Sequence, residues 1–289
     1  MRNEIISLIL KIAKEKNAFD TLEKHLSSVS RQELSVAIIE CGILPEVFRT
    51  NGSEEKLWAK FSDILLAHSL GFLGFRARVI ATRSNSADVL AETDKYTLVG
   101  DAKTFRLSRT TVNQKDLKID ALRSWRKENN YALLLMPLMK YPKKSSQIFS
   151  QAINNNVTLI SYTHLHFLLD FYKEQDLQIV WETGERLKKS SKKLEHQNAV
   201  YYWAEIDKVI CQVVNQPVEE LTKYKTLEIQ KTKEIGNQAI TYLKKLINEK
   251  IAELDELTKE QVVKLLINAP QIEAKIKTIE RVINRKIIL

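Results

Sequence analysis

The chain has 289 residues, with 44% hydrophobic and 28% charged side chains, a composition that excludes wholesale disorder and supplies material for one or two packed domains. Its formal net charge of +9 permits a polyanionic partner such as nucleic acid without demanding one. With only 7 glycines and 5 prolines, a turn-rich all-β fold is disfavoured and long helices are expected.

Residues 1–70 are predicted to be helical. In MRNEIISLILKIAKEKN, Ile5, Ile6, Leu8, Ile9 and Ile12 form one stripe at spacings of three and four. Glu4, Lys11 and Lys14 interrupt that run and no small-residue cleavage site follows, which argues against a signal peptide. Ser30-Arg-Gln-Glu33 has the form of a capping box and opens a helix that stops near Gly42. Ser53, followed by Glu54 and Glu55, is the expected cap of a further helix through Leu57, Phe61, Ile64, Leu65 and His68.

The pattern changes at Gly71. FRARVIATR, ADVLAE and YTLVGDAKTFR are short runs rich in β-branched and aromatic residues, parted by turns such as Thr93-Asp94-Lys95. Residues 112–129 return to helical spacing. YALLLMPL is continuously apolar, as suits a strand buried on both faces. Its apolar stretch, 132–139, is the longest in the chain and far short of the ~20 residues a membrane span requires. Residues 147–154 read as helix, VTLIS as another buried strand, and HLHFLLDFY as helix. Strands alternating with helices across 71–180 predict an α/β core with a mixed β-sheet.

RLKKSSKK (186–193) reads as a solvated linker. The 105 residues after Gly184 hold Gly236 as their one glycine, with 20 basic against 15 acidic side chains and apolar residues at helical spacing. Thr258-Lys-Glu-Gln261 resembles a second capping box. Three regions are therefore expected: helical 1–70 packed on the core, the α/β core 71–180, and helical 185–289, packing on the core or on a second subunit. Cys41 and Cys211 match no metal-ligand spacing and read as reduced thiols of a cytoplasmic protein.

The residues best suited to chemistry lie on the expected hairpin. Asp101 and Lys103 are two apart on a strand and emerge on one face. A turn near Asp94 brings Asp88 beside Asp101. Two carboxylates and an ammonium on one face suit a hard divalent cation such as Mg2+ and the hydrolysis of a phosphodiester. Asp-x-Lys alone is weak evidence, since it recurs at 116–118, and a solvated salt bridge on a strand is the plain alternative.

The stretch after it carries more information. From Lys103 to Lys127 there are Lys103, Arg106, Arg109, Lys115, Lys118, Arg123, Arg126 and Lys127 against Asp116 and Asp120. Interleaved with Ser108, Thr110, Thr111, Asn113 and Gln114, they offer phosphate contacts and base-edge readers in one segment. The alternative is a surface helix whose Lys and Arg stay in water.

The run DAKTFRLSRTTVNQKDLKIDALRSWR, with GILPE at 42–46, EKLWAKFSDILLA at 55–67, ADVLAE at 87–92, YALL at 131–134 and SQIF at 146–149 in the same order, closely resembles the type II restriction endonucleases of the HindIII family. The likeness is close over about 40–150 and looser in the terminal helical regions. It implies a restriction-endonuclease-like α/β fold, flanked by helices, and a Mg2+-dependent homodimer cutting duplex DNA at a palindrome, with AAGCTT the candidate. A cognate DNA methyltransferase is then expected in the host. Carried over, Asp88 and Asp101 hold the metal with the Ala102 carbonyl, and Lys103 is the catalytic lysine. Arg106, Ser108, Arg109 and Thr111 are candidate DNA contacts, with Asn113, Lys115, Asp116 and Lys118 at the major groove. Ala87 rather than proline precedes Asp88, so Asp88 departs from the wider nuclease pattern. Glu55 is a candidate accessory acid, with a structural capping role the stronger reading.

Two other functions fit less well. A non-cleaving DNA-binding regulator would not need Asp88, Asp101 and Lys103 together, and a junction nuclease would not need the base readers at 113–118. His164 and His166 read as core or surface residues, because His-x-His on a helix points its rings apart. Trp125 reads as a core anchor, and Tyr201-Tyr202-Trp203 as helix packing or a dimer contact.

Overall fold

The computed structural model describes residues 1–80, 87–109, 117, 119–142, 146–190, 198–252 and 259–285. Four helices lead the chain: α1 (Arg2–Ile12), α2 (Ala18–Ser27), α3 (Arg31–Cys41) and α4 (Ser53–Phe72). α1 buries Ile5, Ile9 and Ile12, the expected stripe. The capping box at α3 is formed: Ser30 Oγ accepts from the Glu33 amide, and Glu33 accepts from the Ser30 amide at 2.9 Å. At α4 the cap differs from expectation. Gly52 is the N-cap and Ser53 is already helical, making no cap bond. Glu55 Oε2 instead accepts from the Asn51 amide at 3.0 Å, one turn back, in the first turn where the helix dipole favours an acid.

The described strands form one sheet in sequence order: β1 (Arg76–Val79), β2 (Val89–Glu92), β3 (Thr97–Ala102), β4 (Tyr131–Met136) and β5 (Val157–Ser161). β1, β2 and β3 are an antiparallel meander, while β3, β4 and β5 run parallel, so the sheet is mixed. The β2–β3 turn falls where expected, with Thr93 Oγ1 accepting from the Lys95 and Tyr96 amides. Every residue of β4 and β5 is buried, because helices cover both faces of parallel strands. α5 (Ile119–Trp125) precedes β4, and α6 (Ile148–Asn155) links β4 to β5. On the other side, α4 lies close to β3: a Cβ at Gly100 would come within 2.9 Å of Leu66 Cδ2, so the leucine would have to shift to admit one. That close approach brings the middle of α4 to the end of β3.

α7 (Tyr162–Phe171) starts directly off β5, capped by Ser161, and α8 (Gln178–Trp181), α9 (Thr183–Ser190), α10 (Ala199–Val213), α11 (Val218–Ala252) and α12 (Lys259–Ile283) follow. Residues 186–190 are not a linker: they belong to α9, whose Leu187 is buried. Residues 191–193 and Thr258 lie outside the described residues.

A single apolar core runs from Ile5 through the sheet to Leu221. A smaller cluster joins Ile43 and Leu107 to Ile235, Ile240 and Leu243 of α11 and Ile276, Ile279 and Ile283 of α12. α10 and α11 are tied to α7 by buried polar groups: His164 Nε2 meets Asp207 Oδ1 at 2.8 Å, and Asp207 also pairs with Lys225. Both histidines are thus interior residues. Tyr202 is buried and donates to the Leu159 carbonyl, Trp203 stacks on His164, and Trp125 is half-buried against the core. Cys41 and Cys211 are free and buried. Among the described residues no helix is long and apolar enough to cross a membrane.

Candidate active site

Asp101 and Lys103 stand at the end of β3, the central strand, where antiparallel and parallel halves of the sheet meet. Val89 pairs with Gly100, and the Asp88 amide donates to the Gly100 carbonyl at 3.2 Å, so Asp88 faces Asp101 across the ladder. The Lys103 amide continues the pairing to β4 through the Leu135 carbonyl at 2.8 Å. This holds the backbone on both sides of Ala102 in the sheet.

The Asp101 side chain is 0% exposed, and its Oδ1 accepts from Lys103 Nζ at 2.6 Å. Its Oδ2 is buried and has no hydrogen-bond partner among the described residues. Burial raises the Asp101 pKa; Lys103 opposes this, and the nearby Asp88 adds to it. A buried carboxylate oxygen without a donor among the described residues, beside a second acid, is an acceptor suited to a cation.

A third carboxylate, absent from the sequence-based assignment, joins the pair. Asp63 sits on α4 with a side chain 5% exposed, and burial, reinforced by Asp88 and then Asp101, pushes its pKa up to about 7. Lys60, one turn earlier, spans the gap: its Nζ lies 3.0 Å from Asp63 Oδ2 and 3.3 Å from Asp88 Oδ1. Burial by itself would lower the Lys60 pKa, but the two acids together raise it. The signal for Asp63 is legible in hindsight, as one acid within the apolar run FSDILLA. Its partner strand could not be known from spacing.

Glu55 takes a different place. Its Oε2 accepts from Arg106 Nη2 at 3.0 Å as well as from the Asn51 amide, so it braces the α4 start. Arg106, expected at DNA, is 8% exposed and donates inward to the Pro45 and Phe48 carbonyls at 2.8 and 2.9 Å. Ser108 likewise turns inward, its amide and hydroxyl donating to Glu46 at 3.1 and 2.8 Å. Their acceptors lie about 60 residues earlier, at Pro45 and Glu46 of the GILPE segment. Arg109 is exposed, with its guanidinium 5.6 Å from the Phe105 ring centre. Thr111, Asn113, Lys115, Asp116 and Lys118 lie outside the described residues.

The donor set suits a magnesium-sized cation. Among the described residues no three His, Cys, Asp or Glu side chains form a ready cage for a metal. Mg2+ does not require one, since it takes one or two carboxylates and completes its shell with waters and substrate phosphate. Asp88, 33% exposed, and Asp101 with its unpartnered oxygen meet that requirement.

A mixed five-stranded sheet flanked by helices, with Asp101 at the end of its central strand and Asp88 facing it from the neighbouring one, is consistent with a restriction-endonuclease-like core. The HindIII restriction endonuclease family model matches residues 3–283. The Type II restriction enzyme HindIII of Haemophilus influenzae is 31% identical over 290 residues, covering 96% of this chain and 93% of that enzyme. The chain therefore belongs to the HindIII restriction endonuclease family and is a site-specific deoxyribonuclease.

Proposed function

We propose that the protein cuts duplex DNA at the palindrome AAGCTT with Mg2+, leaving 5′-phosphate and 3′-hydroxyl ends. The observation that carries the metal assignment is the buried, unpartnered Oδ2 of Asp101 beside Asp88 and Lys103. Asp88, Asp101 and the Ala102 carbonyl would hold the ion. When bound, Mg2+ offsets the negative charge that builds on the phosphate during hydrolysis. Lys103, anchored on Asp101 and 20% exposed, presents its ammonium to the substrate side, where it orients the attacking water and balances the same charge. Arg109, with Thr111, Asn113, Lys115, Asp116 and Lys118, is assigned to phosphates and base edges.

A palindromic site calls for a two-fold homodimer, each subunit reading one half-site and cutting one strand. The C-terminal helices are the part we assign to dimerisation or to clamping DNA. A host carrying such an activity in its cytoplasm needs a methyltransferase of the same specificity. The test is to incubate the purified protein with a plasmid of known sequence and Mg2+, then sequence the fragment ends. Discrete ends within AAGCTT that religate directly are expected. Cutting at another palindrome would overturn the specificity, and no cutting in Mg2+ or Mn2+ would overturn the catalytic assignment.

A further inference from the structure

Beyond Lys103 the chain is held by bonds from Phe105 to Arg109. The Phe105 amide donates to the Gly42 carbonyl at 3.2 Å, and the Leu44 amide to the Phe105 carbonyl at 3.2 Å, so Phe105 bridges Ile43 in parallel. A tight turn follows, closed by the Arg109 amide on the Arg106 carbonyl at 3.3 Å. Glu46, with a side chain 3% exposed, grips that turn on one side through both groups of Ser108. On the other side, Lys140 Nζ donates to the Arg109 carbonyl at 3.1 Å and reaches the Leu107 carbonyl at 3.5 Å.

Lys140 ends the short helical turn that follows β4, the strand paired with β3, and it is 7% exposed. Burying an ammonium costs stability even with the Glu46 carboxylate nearby, and an apolar side chain would fill the same space at less cost. Nothing in packing explains a lysine here; its directed bonds do. Both ends of the brace are tied to the site that cuts, Lys140 through β4 and Glu46 through the loop that pairs with Phe105.

We propose that Lys140 and Glu46 are positioning residues that hold the Arg106–Arg109 turn at a fixed offset from Asp101 and Lys103, so that Arg109 meets the duplex in register with the cutting site. The inference rests on the AAGCTT reading above. Its consequence is that recognition, rather than DNA affinity in general, depends on the brace.

The test compares wild type, Lys140→Met, Lys140→Gln and Glu46→Gln in Ca2+. Equilibrium binding is measured to a duplex carrying AAGCTT and to one with the hexamer scrambled, well below the melting temperature of each variant. The expected result is a loss of at least about tenfold in the AAGCTT-over-scrambled ratio for Lys140→Met and Glu46→Gln, with scrambled binding changed less than about twofold. Lys140→Gln, which keeps a donor for the Arg109 carbonyl, retains more of the ratio than Lys140→Met. A purely structural role would weaken both duplexes together and leave the ratio intact, which overturns the proposal. If Lys140→Met does not fold, the Gln variants carry the comparison. Equal binding of both duplexes by wild type would overturn the AAGCTT reading and the inference with it; an unchanged ratio in the variants overturns the inference alone.

Discussion

Asp88 and Asp101 face each other across the β2–β3 ladder because the Asp88 amide donates to the Gly100 carbonyl at 3.2 Å. The pairing sets a partly exposed carboxylate against a fully buried one, with Lys103 on the buried member. Substrate can reach the first, while the second is shielded and oriented.

If this pair and Lys103 are the cutting apparatus, Asp101→Asn and Lys103→Ala each lower cleavage at least about a hundredfold, the usual effect of removing one charge-stabilising group. Binding of an AAGCTT duplex is largely retained. Single-turnover plasmid cleavage and duplex binding on the same preparations check this. Vigorous Mg2+-dependent cutting by either variant would remove the assignment.

Asp63 and Glu55 separate two roles that sequence alone could confuse. Asp63→Asn relieves a crowd of three buried or half-buried carboxylates, so the metal-free protein melts at a higher temperature. The same change raises the Mg2+ needed for half-maximal cleavage about tenfold, the lower range for a group supporting metal ligands. Glu55→Gln does the reverse. It weakens the bonds to Asn51 and the buried Arg106, and costs about 1–2 kcal/mol of stability with little change in Mg2+ requirement. Melting in chelator and cleavage across a Mg2+ titration distinguish them.

What was readable in the sequence tracks how local each determinant is. The Asp88–Asp101 pairing follows from one turn at Thr93–Tyr96 and a period of two, both properties of a short stretch. The all-apolar β4 and β5 and the Ser30 capping box are equally local. Asp63 was missed because its role depends on how α4 packs across Gly100. The inward bonds of Arg106 and Ser108 were not legible because their acceptors, Pro45, Phe48 and Glu46, are distant in sequence. The family resemblance identified the family, and only tertiary structure shows which residues of the segment face inward.

The chain Ser161–His164–Asp207 has the residue types of a hydrolytic triad, yet it is interior scaffolding. Ser161 and His164 are 0% exposed, and the serine caps α7. Asp207 also holds Lys225, whose side chain is 5% exposed. Asp207→Asn leaves that ammonium without its counter-charge and is expected to cost about 3–5 kcal/mol. Cleavage per folded molecule stays at the wild-type level. Urea denaturation with active-fraction titration measures both, and a specific loss of cleavage without loss of stability would contradict the scaffolding role.

Lys140 gives a pH dependence whose sign follows from its burial. Burial lowers its pKa to about 8 from an ordinary 10.5; Glu46 opposes the shift, while Arg109 and Arg285 add to it. Below about pH 8 the lysine is charged in both folded and unfolded chains, and the cost of burying it is fully present. Between about 8 and 10.5 the folded protein sheds the proton and the unfolded chain keeps it, so rising pH favours the fold. The stability of wild type relative to Lys140→Met should therefore climb through this window by on the order of 2–3 kcal/mol. Other lysines and the tyrosines titrate in both proteins and cancel in the difference. Urea unfolding of the two proteins at pH 7, 8.5 and 10 measures it. A difference that stays flat would mean that Lys140 is not a buried cation, and would remove the physical reason for treating it as a placed charge rather than a filled space.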